Sequence, residues 1–297
     1  MKLWVCSPVY YDVKSFKEVR SRIQNNFAAL SVFGINELTF VVADDSAGFD
    51  PEIGHLKDLN DIRIVTMPVN SGHQKAIVTA LRAVVCDFQV NDLVLTMDSD
   101  GEDNPGDIPR LLEALIGSGD VATLVLAKRT SRQERLAFKL MYKLFKVFFK
   151  LLTGVRIQSG NFALQTAKNV DRTIFRSSFD HCYSTSLVVL NPAPFYVSCA
   201  RSKRYHGQSR MNNYSLVSHG MRMLMPFWER ISTRFLLASA LFFALTISFM
   251  LFSGTVLQSS FVAVLVVGLL GLLLSLVLLM ISLLIFAIFS SFARNST

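Results

Sequence analysis

The chain has 297 residues, a formal net charge of +8 and 51% hydrophobic residues, and this length allows about two domains. Its four cysteines show no paired ligand spacing, so they are expected to be free thiols in a reducing compartment. The excess of basic over acidic residues is typical of a protein whose partner is either nucleic acid or an anionic membrane surface.

Apolar runs alternate with amphipathic stretches over the first part of the chain. We predict strands at residues 3–8, 38–43, 62–67, 93–97 and 123–127, and helices at about 13–33 and 74–88. The run at residues 1–8 is too short for a signal peptide and fits a first strand better. Strands that alternate with helices indicate an α/β fold, a mostly parallel sheet with helices on both faces. Ligands of such sheets bind beyond the carboxyl ends of the strands.

Acidic side chains follow the predicted strands at the points where the strands end. Asp12 follows the first strand, Asp44 and Asp45 follow the second, and Asp98-Ser99-Asp100 follows the fourth. Two carboxylates separated by one residue on a turn can face one hard cation, such as Mg²⁺ or Mn²⁺. Such an ion would neutralise the charge on a departing nucleoside diphosphate. An ordinary acidic turn is the alternative, since acidic residues are frequent in turns.

A basic stretch at residues 132–150 has lysines at helical spacing on one face and apolar residues on the others. It predicts a helix over about residues 135–152 that lies in a membrane interface. A solvated helix packed on its own core is the alternative. Residues 214–228 form a second interfacial candidate. Both stretches adjoin apolar faces and lack aromatic residues arranged to stack on bases, so we expect a lipid bilayer as partner and no nucleic acid.

The C-terminal tail contains no Asp, Glu, Lys, Arg or His between Phe235 and Phe292. Small polar residues at 253–260 divide it into two stretches, each long enough for a transmembrane helix. Arginines flank the pair, so the positive-inside tendency places the N-terminal domain in the cytosol: Arg230, Arg234 and Arg294. A buried helical hairpin in a soluble core is the alternative. Small residues in the second stretch are compatible with a homo-oligomer: Gly268, Gly271 and Ser275.

Four segments at the predicted strand ends resemble the successive motifs of glycosyltransferase family 2: residues 8–12, 41–46, 70–76 and 98–105. The segment at residues 201–210 is similar to the Arg-x-x-Arg-x-x-Gly-x-Ser-Lys pattern of the polyprenyl-phosphate branch, with Arg210 in place of the lysine. That branch includes dolichyl-phosphate mannose synthases and bactoprenol-phosphate glucosyltransferases. The resemblance covers nearly the whole chain, and an ordered set of motifs is more specific than any single motif.

The resemblance implies a cytosolic glycosyltransferase-A domain at residues 1–212, an interfacial segment at 213–233 and two transmembrane helices at 234–293. It implies a metal-dependent, inverting transfer of one sugar from a UDP- or GDP-linked donor to undecaprenyl or dolichyl phosphate. The reaction would take place at the cytosolic face of the inner membrane, in cell-envelope glycan biosynthesis. A phosphate monoester is largely ionised at neutral pH and can attack without a general base, whereas a sugar hydroxyl would normally need one.

The resemblance also implies roles for individual residues. The nucleotide-binding group is Pro8, Tyr10, Asp12, Asp44, Asp45, Gly72, Lys75, Asp98 and Ser99. The metal ligands are Asp98, Asp100 and Glu102, and the catalytic residues are Asp98, Asp100, Arg129 and Arg204. The phosphate- and acceptor-binding group is Arg129, Arg132, Arg135, Asn161, Arg201, Arg204, Ser209 and Arg210. A merely solvated role for Arg132 and Arg135 stays open. Among the histidines, His73 and His206 are expected to touch phosphate because of their motif positions.

One segment departs from the family pattern. Residues 159–164 read Ser-Gly-Asn-Phe-Ala-Leu where the family usually has Gly-Asp-Phe-Arg-Leu, so Asn161 replaces an acid and Ala163 replaces an arginine. Two alternatives stay open. The first is transfer to a hydroxyl of a glycolipid or polysaccharide, and the second, which the departure keeps open, is a catalytically impaired membrane scaffold.

Overall fold

The structure is a computed structural model that describes residues 1–129, 136–191, 193–207, 213–255 and 261–294. The chain forms two compact units. The first unit comprises Met1–Leu140 and Ile157–Pro226, and the second comprises Met141–Arg156 and Phe227–Thr297. The functional division at residues 212 and 233 stays a prediction.

A seven-stranded sheet organises the first unit, in the order β3-β2-β1-β4-β6-β5-β7. The strands are β1 Lys2–Val9, β2 Glu37–Asp44, β3 Ile62–Thr66, β4 Leu93–Thr96, β5 Leu124–Arg129, β6 Ser159–Thr166 and β7 Phe195–Cys199. Only β6 runs antiparallel to its neighbours β4 and β5. The mostly parallel sheet predicted from the alternation of strands and helices is therefore confirmed.

Helices cover both faces of this sheet. The helices of the first unit are α1 Val13–Asn25, α2 Phe27–Ser31, α3 His73–Val84, α4 Ile108–Ile116, α6 Ala167–Thr173, α7 Ser178–His181, α8 Tyr183–Leu190 and α9 Asn213–Leu224. Most residues of a further helix, α5 Leu136–Thr153, belong to the second unit. Alternate residues of β1 point to opposite faces, so Leu3 and Val5 enter the core beside α1 and α4, while Trp4 and Cys6 enter the core beside α3 and α8. Burial on both sides explains why these strands read as nearly continuous apolar runs.

Several element boundaries differ from those predicted. The predicted helix at 13–33 is interrupted at Asn26, whose backbone N–H closes the last turn of α1 onto Arg22 and Ile23. The predicted helix at 74–88 ends at Val84 and continues as one 3₁₀ turn, Val85–Asp87. Strands β6 and β7 were not predicted, because β6 pairs with strands distant in sequence and β7 is a largely exposed edge strand.

Two long helices, α10 Trp228–Thr255 and α11 Phe261–Arg294, dominate the second unit. Two spans, Leu216–Phe252 and Val264–Ile288, have mean hydropathies of 2.4 and 3.1 and are long and apolar enough to cross a membrane. The first span begins within α9 and includes most of α10, and the second lies within α11. Only 6% and 11% of the most apolar stretches are buried, whereas a core helix of a soluble protein is mostly buried. This exposure argues against the buried-hairpin alternative. The predicted polar hairpin lies partly at residues 256–260, outside the described residues.

Serines and glycines line the contact between α10 and α11. Ser232 donates to the Ser282 carbonyl at 2.9 Å, and Ser239 donates to the Ser275 carbonyl at 2.8 Å. A Cβ at Gly271 would lie 2.3 Å from Thr246 Oγ1, so glycine permits the close approach. The small residues that suggested a homo-oligomer therefore face α10 of the same chain, and oligomerisation stays a prediction without their support.

Replacing Gly271 with alanine should weaken this helix pair, since the new methyl group meets a β-branched side chain that has little freedom to move. We expect a loss of roughly 1–3 kcal/mol in the free energy of unfolding, measured by thermal melting in detergent. Gly268→Ala is the matched control, because its methyl group meets only the flexible end of Met250. Equal melting temperatures for the two variants would contradict the assignment.

Candidate active site

The carboxyl ends of β1, β2 and β4 meet at one rim of the sheet, and acidic residues follow directly. At the end of β2, Asp44 accepts a hydrogen bond from the Ser46 backbone N–H at 3.0 Å. Its Oδ2 atom is buried and has no hydrogen-bond partner within the described part of the chain. A buried carboxylate oxygen of this kind is an acceptor for a donor group on a ligand.

Asp45 ties the end of β2 to the start of α3. Its carboxylate accepts the backbone N–H groups of Ser71 and Gly72 at 2.7 and 3.0 Å. Gly72 has φ +82, a left-handed conformation that favours glycine. Burial raises the pKa of Asp45 above its ordinary value, although the two N–H contacts act to lower it. Asp45 therefore shapes the loop that leads into α3.

The turn after β4 carries four carboxylates, which we call the acidic turn: Asp98, Asp100, Glu102 and Asp103. Arg129, at the end of β5, lies 3.6 Å from Asp98 and 3.2 Å from Asp103. The Asn161 amide donates to Asp98 Oδ1 at 2.9 Å. Burial acts to raise the pKa of Asp98, but the charges of Arg129 and His73 and the Asn161 amide outweigh it and hold the pKa below its ordinary value.

Residues 201–205, which we call the arginine strap, run across the acidic turn. Arg204 lies 2.7 Å from Asp100, and Arg201 is ion-paired with Glu102. Two backbone bonds hold the strap in register: Ser202 N to Glu102 O at 2.9 Å and Tyr205 N to Asp100 O at 3.0 Å. A Cβ on Gly101 would come within 2.5 Å of the Tyr205 ring. The strap therefore requires glycine at position 101.

Asp100 and Asp103 remain difficult to ionise despite their arginine partners. Burial, together with the charges of Asp98 and Glu102, raises the pKa of Asp100 to about 7. Burial and the charge of Asp98 raise the pKa of Asp103 to about 6. Four carboxyl groups thus face three arginines, and a further cation would favour the ionised forms of Asp100 and Asp103.

The oxygen ligands of the acidic turn fit Mg²⁺ or Mn²⁺, which such sites often hold with one or two carboxylates and the phosphates of a substrate. Asp98 and Asp100 are the best placed of the predicted ligands. Both Glu102 oxygens face guanidinium groups, from Arg201 and Arg204. Within the described residues no three acidic, histidine or cysteine side chains already form a metal-binding group. A cation would therefore be held by two carboxylates and its substrate, with some exchange of arginine contacts.

The remaining predicted residues fall into three sets. Pro8 and Ser99 are buried at the rim, and Asp12 precedes α1. Tyr10 and Lys75 are exposed, as is His206. Four predicted phosphate ligands lie outside the described residues: Arg132, Arg135, Ser209 and Arg210.

Three residues near the acidic turn had no site role predicted from the sequence: Gln74, His219 and Arg222. The ring centres of His73 and His219 are 5.5 Å apart, and Arg222 approaches Gly72. Burial, His73 and Arg222 lower the pKa of His219 to about 4, so its imidazole is neutral at physiological pH. No sequence signal brings His219 and Arg222 next to His73, because α9 is far from α3 along the chain.

The two departures at residues 161 and 163 lie on the same face of β6. Ala163 is fully buried in the core beside Trp4 and Leu126. A core position of this kind would not accept an arginine without a partner for its charge. Asn161 is also buried, but its amide contacts Asp98.

Comparisons with known proteins agree with this architecture. The family model described as Glycosyl transferase family 2 matches residues 13–177. Glucosyl-3-phosphoglycerate synthase from Mycobacterium tuberculosis, in complex with phosphoglyceric acid, aligns with a TM-score of 0.52 and 16% identity over 77% of this chain and 80% of that chain. No curated protein sequence matches the chain.

Complexes of the same synthase with bound donor are also similar. The complex with Mn²⁺, UDP-glucose and phosphoglyceric acid has a TM-score of 0.52 and 15% identity over 77% of this chain and 79% of that chain. The complex with Mn²⁺ and UDP-glucose has a TM-score of 0.51 and 17% identity over the same shares. These likenesses confirm the predicted glycosyltransferase-A type of fold.

Replacing Asp100 with asparagine should stabilise the protein in a pH-dependent way when divalent ions are absent. The pKa of this carboxyl is about 7 in the folded protein and has an ordinary value of 3.8 in the unfolded chain. The folded state binds the proton more tightly, so the wild type loses stability as pH rises between these two values. We expect the melting temperature of Asp100→Asn, relative to wild type, to rise from about pH 4 to about pH 7 and then level off.

Asp58→Asn, which changes an exposed acid outside the acidic turn, is the control. A difference between Asp100→Asn and wild type that does not change with pH would refute the unusual ionisation of Asp100.

Proposed function

Because the chain belongs to glycosyl transferase family 2, whose members use nucleotide-sugar donors, we propose that it moves one sugar from a UDP- or GDP-linked donor to polyprenyl phosphate. The transfer would occur with inversion at the cytosolic face of the inner membrane. The single observation that carries the donor side is the pair of carboxylates, Asp98 and Asp100, on one turn at the carboxyl end of β4.

The donor site would be formed by the rim of the sheet. The unpartnered Asp44 oxygen is available to a donor group of the base or ribose, and Asp98 and Asp100 would hold Mg²⁺ or Mn²⁺. The similar synthase complexes contain Mn²⁺ with UDP-glucose, which supports a cation at this position. When bound, the cation would neutralise charge on the leaving diphosphate.

The reaction is a single displacement. An oxygen of the lipid phosphate forms a bond to the anomeric carbon, while the bond from that carbon to the diphosphate oxygen breaks and its electron pair leaves with the nucleoside diphosphate. Arg129, Arg201 and Arg204 lie beside the acidic turn and would stabilise the phosphate charges through bidentate contacts. No proton needs to be removed from an ionised phosphate.

An acceptor phosphate also needs cationic groups that are not already paired. Arg129 and Arg204 face carboxylates, whereas Arg222 is exposed and has no carboxylate partner within the described residues. It lies in the last turn of α9, and the chain enters α10 at Trp228. Together with His73 and His219 it supports an acceptor site on this side of the rim.

The surface of α5 supports contact with a bilayer. Four apolar side chains at helical spacing are at least half exposed: Leu144 61%, Val147 62%, Phe148 51% and Leu151 71%. Lys143, Lys146 and Lys150 are exposed on the same helix. An apolar stripe with adjacent lysines is typical of a helix lying in a membrane interface. The exposure speaks against the alternative in which α5 is an ordinary solvated helix.

The proposed acceptor is tested by incubating the purified protein in liposomes with a panel of labelled UDP- and GDP-sugars and undecaprenyl phosphate. We expect one labelled sugar to appear in the lipid extract in a form that releases the sugar on mild acid treatment. Asp100→Ala should reduce this transfer by roughly a hundredfold or more, because a ligand of the cation is lost. Asp58→Ala is the matched control.

Other outcomes of the panel would redirect the assignment. Transfer to a glycolipid hydroxyl but not to polyprenyl phosphate would favour the first alternative. Neither transfer nor donor hydrolysis with any sugar would favour the membrane scaffold.

The membrane position of α5 is tested by fluorescence quenching. In a Trp228→Phe background, Phe148→Trp should be quenched by brominated lipids in reconstituted vesicles, because the exposed side chain would lie among the acyl chains. Phe175→Trp, at a position of the first unit that is at least as exposed, should remain largely unquenched. Equal quenching of the two variants would contradict an interfacial α5.

A further inference from the structure

A chain of buried amides connects the start of α8 to the acidic turn. Gln74, on α3, accepts the Ser184 backbone N–H at 3.0 Å and the Cys182 thiol at 3.3 Å, both through Oε1. Gln74 Nε2 then donates to Asn161 Oδ1, and Asn161 Nδ2 donates to Asp98 Oδ1 at 2.9 Å. Gln74 and Asn161 are 6% and 4% exposed, so solvent does not compete with these contacts.

The donor-to-acceptor direction of these hydrogen bonds is fixed at the Ser184 end. A backbone N–H can only donate, so the atom of Gln74 that faces Ser184 must be the oxygen. The amide nitrogen of Gln74 then faces Asn161, which places the Asn161 oxygen toward Gln74 and the Asn161 nitrogen toward Asp98. The orientation of both amides therefore follows from the backbone of α8.

The backbone of Asn161 is held separately. Its carbonyl accepts a hydrogen bond from Thr96 Oγ1 at 2.6 Å, and Thr96 contacts the Tyr183 hydroxyl at 3.1 Å. Side chain and backbone of Asn161 are thus both held within the protein. An ionised aspartate at this position could accept from Gln74, but its second oxygen would repel the ionised Asp98 oxygen that it faces.

We propose that Gln74 and Asn161 form a positioning relay that holds the Asp98 carboxylate in the orientation needed for the cation and the donor diphosphate. The relay rests on the proposed function for its ligand. It explains why this chain has a neutral amide at residue 161, since the amide supplies a donor that a carboxylate cannot. Neither side chain needs to touch the substrate.

Two substitutions of Gln74 separate the relay from a merely structural role. Gln74→Glu keeps the size and the acceptors for Ser184 and Cys182, but turns an acceptor toward Asn161. The Asn161 amide should then rotate and present its oxygen to Asp98. Gln74→Met removes the contacts to Ser184 and Cys182, yet leaves Asn161 free to keep donating to Asp98. The relay therefore predicts more damage from Glu, whereas loss of packing or of buried contacts predicts more damage from Met.

The measurement is binding of Mn²⁺ with UDP, and of Mn²⁺ with GDP, to the full-length protein in detergent at about pH 8.5, well above the ordinary pKa of a glutamate. We expect Gln74→Glu to lower the affinity for the nucleotide that the wild type binds by about tenfold or more. This is the effect of losing one hydrogen bond to a charged group. Gln74→Met should weaken it less. Gln165→Glu is the matched control, since Gln165 is a buried amide on β6, the strand of Asn161, and contacts Tyr183 and Asn169 rather than Asp98.

A second comparison tests whether Gln74 acts through Asn161. In an Asn161→Ala background, both Gln74 substitutions should cause no further loss of binding, because the relay is already interrupted. Melting temperatures of all variants check that they are folded. Three outcomes would overturn the relay. Gln74→Met could lower nucleotide binding more than Gln74→Glu, both substitutions could keep their full effect on binding in the Asn161→Ala background, or Gln165→Glu could lower binding as much as Gln74→Glu.

The binding experiment and the sugar-transfer assay can fail independently of each other. If Mn²⁺ and nucleotide binding follow the expected order while no sugar reaches polyprenyl phosphate, the relay stands and the proposed acceptor fails. If the wild type binds neither UDP nor GDP with Mn²⁺, the donor site fails and the relay fails with it.

Discussion

The site depends on balancing the negative charge that is concentrated at the acidic turn. Carboxylates removed from water are costly unless cations or hydrogen-bond donors face them. Here the donors come from three distant parts of the chain: Arg129 at the end of β5, Asn161 on β6 and the arginine strap. The antiparallel strand β6 brings two of these groups next to β4, so the one break in the parallel pattern of the sheet serves the site directly.

The positions of the acidic residues at the rim could be predicted from the sequence, but the side chains that contact them could not. Parallel strands place their carboxyl ends at one rim, so residues after β1, β2 and β4 could be assigned from strand positions alone. The partners of Asp98 and Asp100 could not, because Asn161 and Arg204 are separated from them by many residues with no local pattern. The strand β6 was missed for the same reason, since its pairing is decided by tertiary contacts and not by its own alternation.

The family resemblance predicts a phosphate-binding role for three arginines, and the structure shows their contacts with carboxylates. Arg129, Arg201 and Arg204 were expected at phosphate, and they do lie beside the predicted donor site. In this structure they contact carboxylates of the acidic turn. A donor with its cation would bring both signs of charge and could exchange with these contacts at little electrostatic cost, since each carboxylate regains a cation and each guanidinium regains an anion.

The contact between Gly101 and Tyr205 has a consequence for how the protein can evolve. The aromatic ring fills the space that any side chain at residue 101 would need, and the left-handed backbone there, with φ +84, also favours glycine. The two positions are separated by about a third of the chain, yet a change at either one alters the fit of the other. A substitution at residue 101 is therefore disfavoured while Tyr205 keeps its aromatic ring. Substitutions at the two positions would have to occur together.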